Sequence, residues 1–103
     1  MYVTVAETLD AAIARLPDDF SKSPVHPDAN AIMLPDGTGA FALCFVYGCD
    51  LNEVVHELFH LTHEILDRTN SNFDIKHDEQ GALLIGWLTA KVTKQLRKWK
   101  VKL

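Results

Sequence analysis

The stretch Val54-Val55-His56-Glu57-Leu58-Phe59-His60-Leu61-Thr62-His63-Glu64 contains the pattern H-E-x-x-H, and the rest of the chain is read outward from it. Residues four apart on a helix lie on one face, a turn above one another, so the imidazoles of His56 and His60 can grip one metal ion. Glu57 points to one side of that axis, where it can hold a water beside the metal without being a ligand. Apolar residues surround the motif, as expected of a helix that carries a site through a small core. The expectation is a zinc site (Zn2+) with the geometry of a hydrolase.

The flanks frame this helix. Gly48 ends a preceding strand, Asp50 is placed as an N-cap and Glu53 stands three residues on, in the capping-box position. The helix is expected from about Leu51 to Asp67, with Leu51, Val54, Val55, Leu58, Phe59, Leu61, Ile65 and Leu66 as a wide apolar face. After a polar turn at Arg68–Asn72, Phe73 and Ile75 read as anchors of the loop. A last helix should run from near Asp78 to about Trp99, with Leu83, Leu84, Trp87, Leu88, Val92, Leu96 and Trp99 as candidate core contacts. Upstream, Ala31–Leu34 and Ala40–Tyr47 are strand candidates joined by Pro35-Asp36-Gly37-Thr38-Gly39, a composition suited to a hairpin turn. Thr8–Leu16 has a helical period closed by Pro17. Met1–Ala6 reads as a short strand or the lead into that helix, and Ser21–Asn30 as an irregular connection. The fold class expected is α+β: an N-terminal helix, a β-hairpin or small antiparallel sheet, then the H-E-x-x-H helix and a C-terminal helix packed as an antiparallel helical hairpin. One domain spans 1–103, with a metal core at about 40–90 and a basic helix end at 91–103.

Two histidines do not complete a zinc site, which needs a third protein ligand and, for catalysis, an open fourth position. His63 and Glu64 follow on the same helix. Residues 56, 60 and 63 or 64 are strung over roughly 10 Å, however, and a near-straight row cannot converge on one ion. The third ligand is therefore expected from another element. Glu79 at the start of the last helix is the best placed, because a carboxylate near a helix start is favoured by the dipole. Asp78 and His77 are adjacent alternatives.

His56-Glu57-x-x-His60 followed by Glu79 on the next helix resembles the gluzincin arrangement of zinc metallopeptidases. The succession of elements resembles a minimal, zincin-like form of it, as in the ImmA/IrrE-type peptidases. The run Asp78-Glu79-Gln80-Gly81-Ala82-Leu83-Leu84-Ile85-Gly86-Trp87-Leu88 is also similar to small phage-encoded H-E-x-x-H proteins. The resemblance covers roughly residues 30 to 90. It implies that His56, His60 and Glu79 bind zinc, that Glu57 is the general base, and that the reaction is hydrolysis of a peptide or protein substrate. Larger gluzincins carry a Tyr or His that stabilises the oxyanion; Tyr47, His63 and His77 are the candidates here. An extended peptide is expected to add beside the strand Ala40–Tyr47, pairing with its edge. The alternative is a non-catalytic, zinc-stabilised binding protein, phage-encoded by the same resemblance, that works through protein contacts. Glu57 tilts the choice towards hydrolysis, because a purely structural site has no need of a carboxylate there.

Composition fits a globular domain, with 48% apolar and 23% charged residues. No apolar run is long enough to span a membrane, and the first ten residues lack the pattern of a signal peptide, so the expectation is a cytoplasmic protein without a membrane partner. Cys44 and Cys49 do not make a disulfide framework and read as free thiols, Cys44 as inert core. Zinc ligation by this pair is a weak signal. All fourteen acidic residues lie at or before Glu79, while six of the ten basic ones fall between Lys91 and Lys102. A nucleic-acid contact by that tail is the weaker reading; cations complementing a helix C-terminus and dressing a solvated face are the stronger. Oligomeric state leaves no mark in the sequence.

Overall fold

The computed structural model describes residues 1–18, 20, 28–35, 39–69 and 78–103. Three strands, β1 (Tyr2–Ala6), β2 (Ala31–Pro35) and β3 (Phe41–Val46), form a sheet in the order β1-β3-β2. Ala42 to Val46 are buried without a break because β3 is the middle strand and has no solvent face. Its uninterrupted apolar run is the sequence mark of that position. Pro35 closes β2, an edge strand, where a missing N–H costs no ladder bond. Gly39, with φ at 98°, takes a left-handed conformation just before β3 that a side chain would strain.

The sheet is mixed, not antiparallel as expected. β2 and β3 pair antiparallel with Met33 opposite Leu43, but β1 runs parallel to β3 with Val3 opposite Leu43. A parallel partner requires a crossover between the strands, and here it includes α1 (Leu9–Ala14) and β2. Thr8 caps α1 by accepting from the Ala11 N–H at 3.1 Å. Thr4 Oγ1 donates to the Ala12 carbonyl and Arg15 donates to the Val5 carbonyl, tying α1 to β1. This arrangement also overturns the expectation that a peptide could pair with the strand at 40–47. Both edges of β3 are taken, by β1 and by β2.

Helix α2 (Leu51–Arg68) begins with the anticipated capping box: Asp50 Oδ1 accepts from the Glu53 N–H at 2.8 Å, and Glu53 Oε1 accepts from the Asp50 N–H at 3.0 Å. Both bonds are local and satisfy donors that the helix start leaves orphaned. Asp50→Ala should lower stability by about 1 kcal/mol, whereas Asp50→Ser should retain most of it. Urea unfolding midpoints measure the difference.

Val54, Leu58, Leu61 and Leu66 form the buried stripe of α2, and Thr62 is buried among them with its hydroxyl donating to the Leu58 carbonyl. Helix α3 (Glu79–Lys98) packs on α2 and buries Leu88, Val92 and Leu96. Its end is a Schellman closure: Val101 N–H reaches the Leu96 carbonyl, Lys100 N–H reaches that of Arg97, and Lys100 sits at φ 70°. Val101 is buried, as is Leu96.

Several expected core contacts face solvent instead. Leu83 is 65% exposed and Trp87 57%, and Leu51, Phe59 and Trp99 are also exposed. Periodicity alone overcounts the apolar face: α3 packs on α2, and α2 on α3 and the sheet, so each has cover for only part of its circumference. Phe73, Ile75, His77, the hairpin turn at 36–38 and the connection at 21–27 lie outside the described residues. Among the described residues no helix is long and apolar enough to cross a membrane.

Candidate metal centre

The buried stripe of α2 decides where the motif points. His56 and His60 lie on the exposed side of the helix, one turn apart, with their Nε2 atoms 3.2 Å from each other and their rings edge to face. Two nitrogens bound to one tetrahedral zinc at about 2.0–2.1 Å stand roughly 3.3 Å apart, so the observed spacing fits a shared ion. Glu57 is one residue on, about 100° around the helix, and turns inward to 8% exposure. Ligand atoms of His56, Glu57 and His60 all lie within 4.8 Å of one another, a group that could hold a metal ion.

The surroundings of Glu57 distinguish it from its neighbours. Its carboxylate meets the backbone N–H of Met33 on β2. In the antiparallel register, Asn30 offers its carbonyl to β3 through the Val46 N–H, so Met33, three residues on, turns its N–H away from β3 and towards α2. Glu57 Oε2 is buried and, among the described residues, has no hydrogen-bond partner. Burial raises the Glu57 pKa above its ordinary value of 4.5, opposed by His56, His60 and the Met33 N–H. A buried carboxylate oxygen left without a donor is destabilising unless a cation or a proton meets it. The donor set and this orphaned oxygen together fit a metal-centred site.

Beside the motif runs a groove of about 220 Å3 lined by Ala29, Asn30 and Ala31 at the start of β2 and by Asn52, Glu53, His56 and Glu57 on α2. Met33, Asn30 and Asn52 had no signal in the sequence, because their part depends on β2 lying beside α2. Only a register for β2 against β3 could have picked out Met33.

The structure gathers His56, Glu57 and His60 and leaves other candidates elsewhere. Glu79 is the exposed first residue of α3 and is not part of the group. Asp78, the N-cap of α3, is exposed and makes no side-chain cap bond. His63 is exposed with its ring 5.0 Å from that of Phe59. Tyr47 lines a separate cavity beside β1, at the other edge of the sheet from β2. Cys44 and Cys49 are both buried and lie outside the group. The Cys49 thiol is pushed up to about 11, first by burial and then by Glu53 and Asp50, so at neutral pH it is protonated and a poor ligand.

No protein-family model, curated protein or solved structure matches this chain. The site is therefore read from its side chains.

Proposed function

We propose that the protein is a zinc-dependent metallopeptidase in which His56 and His60 hold the ion and Glu57 is the general base. The observation that carries this reading is the contrast between adjacent residues: two exposed imidazoles 3.2 Å apart and, between them in sequence, a buried carboxylate with one oxygen unpaired among the described residues. A structural site calls for ligands only; a buried, unligated carboxylate beside it suits proton transfer. Zinc, when bound, supplies a polarising charge that acidifies water and activates a carbonyl. Glu57 would take a proton from a water as that water's oxygen adds to the carbonyl carbon, and would give it to the amide nitrogen as the C–N bond breaks, while the Met33 N–H steadies the carboxylate. Burial favours the protonated form of Glu57, which helps it hold that proton between the two transfers. A substrate would lie in the groove at the start of β2, where Ala31 and Asn30 face the motif. Glu79 is proposed as the third protein ligand, which requires its side chain to swing from the start of α3 to the pair of histidines.

Metal content of purified protein after zinc loading, with wild type, His60→Ala, Glu79→Ala and Glu57→Gln, tests the ligand set. The expected result is about one zinc per chain, lost in His60→Ala, weakened in Glu79→Ala and kept in Glu57→Gln. A zinc-loaded wild type that cleaves a mixed peptide library, against a sharply slowed Glu57→Gln, supports the enzyme. Zinc bound without cleavage of any peptide returns the reading to the non-catalytic, zinc-stabilised binding protein. No zinc in wild type removes both.

A further inference from the structure

The second cavity, of about 310 Å3, is lined by Val3, Thr4, Val5, Arg15, Tyr47 and Trp99. Four chain segments converge there, and each residue that carries chemistry is held by main-chain bonds. Arg15 is the C-cap of α1 and donates from one guanidinium nitrogen to the Val5 carbonyl at 2.6 Å, which anchors the group at the cavity and leaves other N–H donors for a ligand. The Tyr47 N–H is bound to the Ala6 carbonyl at 3.1 Å. Trp99 closes α3, its N–H bound to the Gln95 and Leu96 carbonyls, immediately before the Schellman turn that buries Val101. Among the described residues no carboxylate pairs with Arg15; the ion pair present is Arg68 with Glu64.

Charge points the same way. The chain carries a net −4, yet no acidic residue follows Glu79, and Lys98, Lys100 and Lys102 flank Trp99 in sequence. The cavity is therefore bordered by a locally cationic segment on an acidic protein, a setting that draws anions. Its volume is at the lower end for small-molecule sites and suits a single ring with one anionic group. Indole and phenol walls take a planar apolar body, and an anchored guanidinium takes a carboxylate through paired N–H bonds.

We propose that this cavity binds a carboxylate borne on a single aromatic ring, at a site separate from the metal centre. Two sources share that chemistry: a free aryl acid and the C-terminal aromatic residue of a peptide. The chain has two tryptophans, so in a Trp87→Phe background Trp99 is the sole indole reporter. Its emission is titrated with phenylacetate, with N-acetylphenylalanine and with the neutral N-acetylphenylalaninamide. The expected result is a saturable change with at least one of the two acids, half-complete on the order of 1 mM for so few atoms, and at least about tenfold weaker binding of the amide. Response to both acids indicates that ring and carboxylate suffice; response to N-acetylphenylalanine alone identifies a peptide end. Arg15→Gln should weaken the acid about tenfold, and Arg15→Lys less, because the charge remains. The comparison of acid with amide needs no variant of Arg15 and so stands if Arg15→Gln fails to fold. No saturable change with either acid, or equal binding of acid and amide, overturns the proposal.

Discussion

Glu57→Gln will sharply slow the proposed hydrolysis and, with no metal bound, make the protein more stable. The two effects come from one cause. Glu57 is buried with Oε2 unpaired among the described residues, so its ionised form is held in place against a desolvation penalty that only a proton or a cation relieves. Its pKa is raised by that burial, and His56, His60 and the Met33 N–H offset it only in part. A carboxyl whose folded pKa lies above its unfolded value stabilises the fold fully below about 4.5 and loses that contribution as pH rises through the folded pKa. Above that pKa the wild type has lost it. The neutral amide keeps the shape and carries no charge, so the variant should gain about 1–2 kcal/mol at pH 7.5 and little at pH 4. Urea unfolding of both metal-free proteins at the two pH values measures this. Loss of a general base should cost roughly 10²–10⁴-fold in kcat. A variant less stable than wild type at pH 7.5 would show that the carboxylate is stabilised where it stands, and would remove the physical reason for treating it as a poised base.

Leu61→Ala is expected to cause a large loss of stability. Leu61 and Leu58 are both fully buried, on the face that α2 turns to the core. Truncation removes the transfer energy of the lost methyl groups and leaves a cavity that packed neighbours fill only in part, together about 3–4 kcal/mol. Against a total of roughly 5–10 kcal/mol for a domain of this size, that lowers the melting temperature by on the order of 15 °C or more. Leu61→Met, close in volume, should cost less than about 1.5 kcal/mol. Leu83→Ala, at 65% exposure, should stay within about 0.5 kcal/mol although the two leucines look alike in sequence. Thermal melts of the three variants check the contrast; an equal loss at Leu61 and Leu83 would contradict the core described here. The same substitution at Leu61 should also loosen His60, its neighbour on the helix, and so reduce zinc retention together with stability.

What was legible in the sequence was local. The Asp50–Glu53 cap, the length of α2, the strands at 31–35 and 41–46, the start of α3 at Glu79 and the pairing of His56 with His60 all depend on residues within a few positions of one another. Helical period, capping chemistry and turn composition act over that range. What only the tertiary structure decided was relative placement. That β3 is central, that β1 joins it in parallel and that the edge near the motif is β2 are outcomes of strand order, to which alternating or continuous apolar patterns are blind. The same holds for the Met33 N–H at Glu57 and for Tyr47 meeting Trp99 and Arg15 across long stretches of chain. Leu83 and Trp87 make the limit plain: they repeat at helical spacing like Leu88 and Val92, and only the position of the neighbouring elements leaves one pair in water and the other in the core.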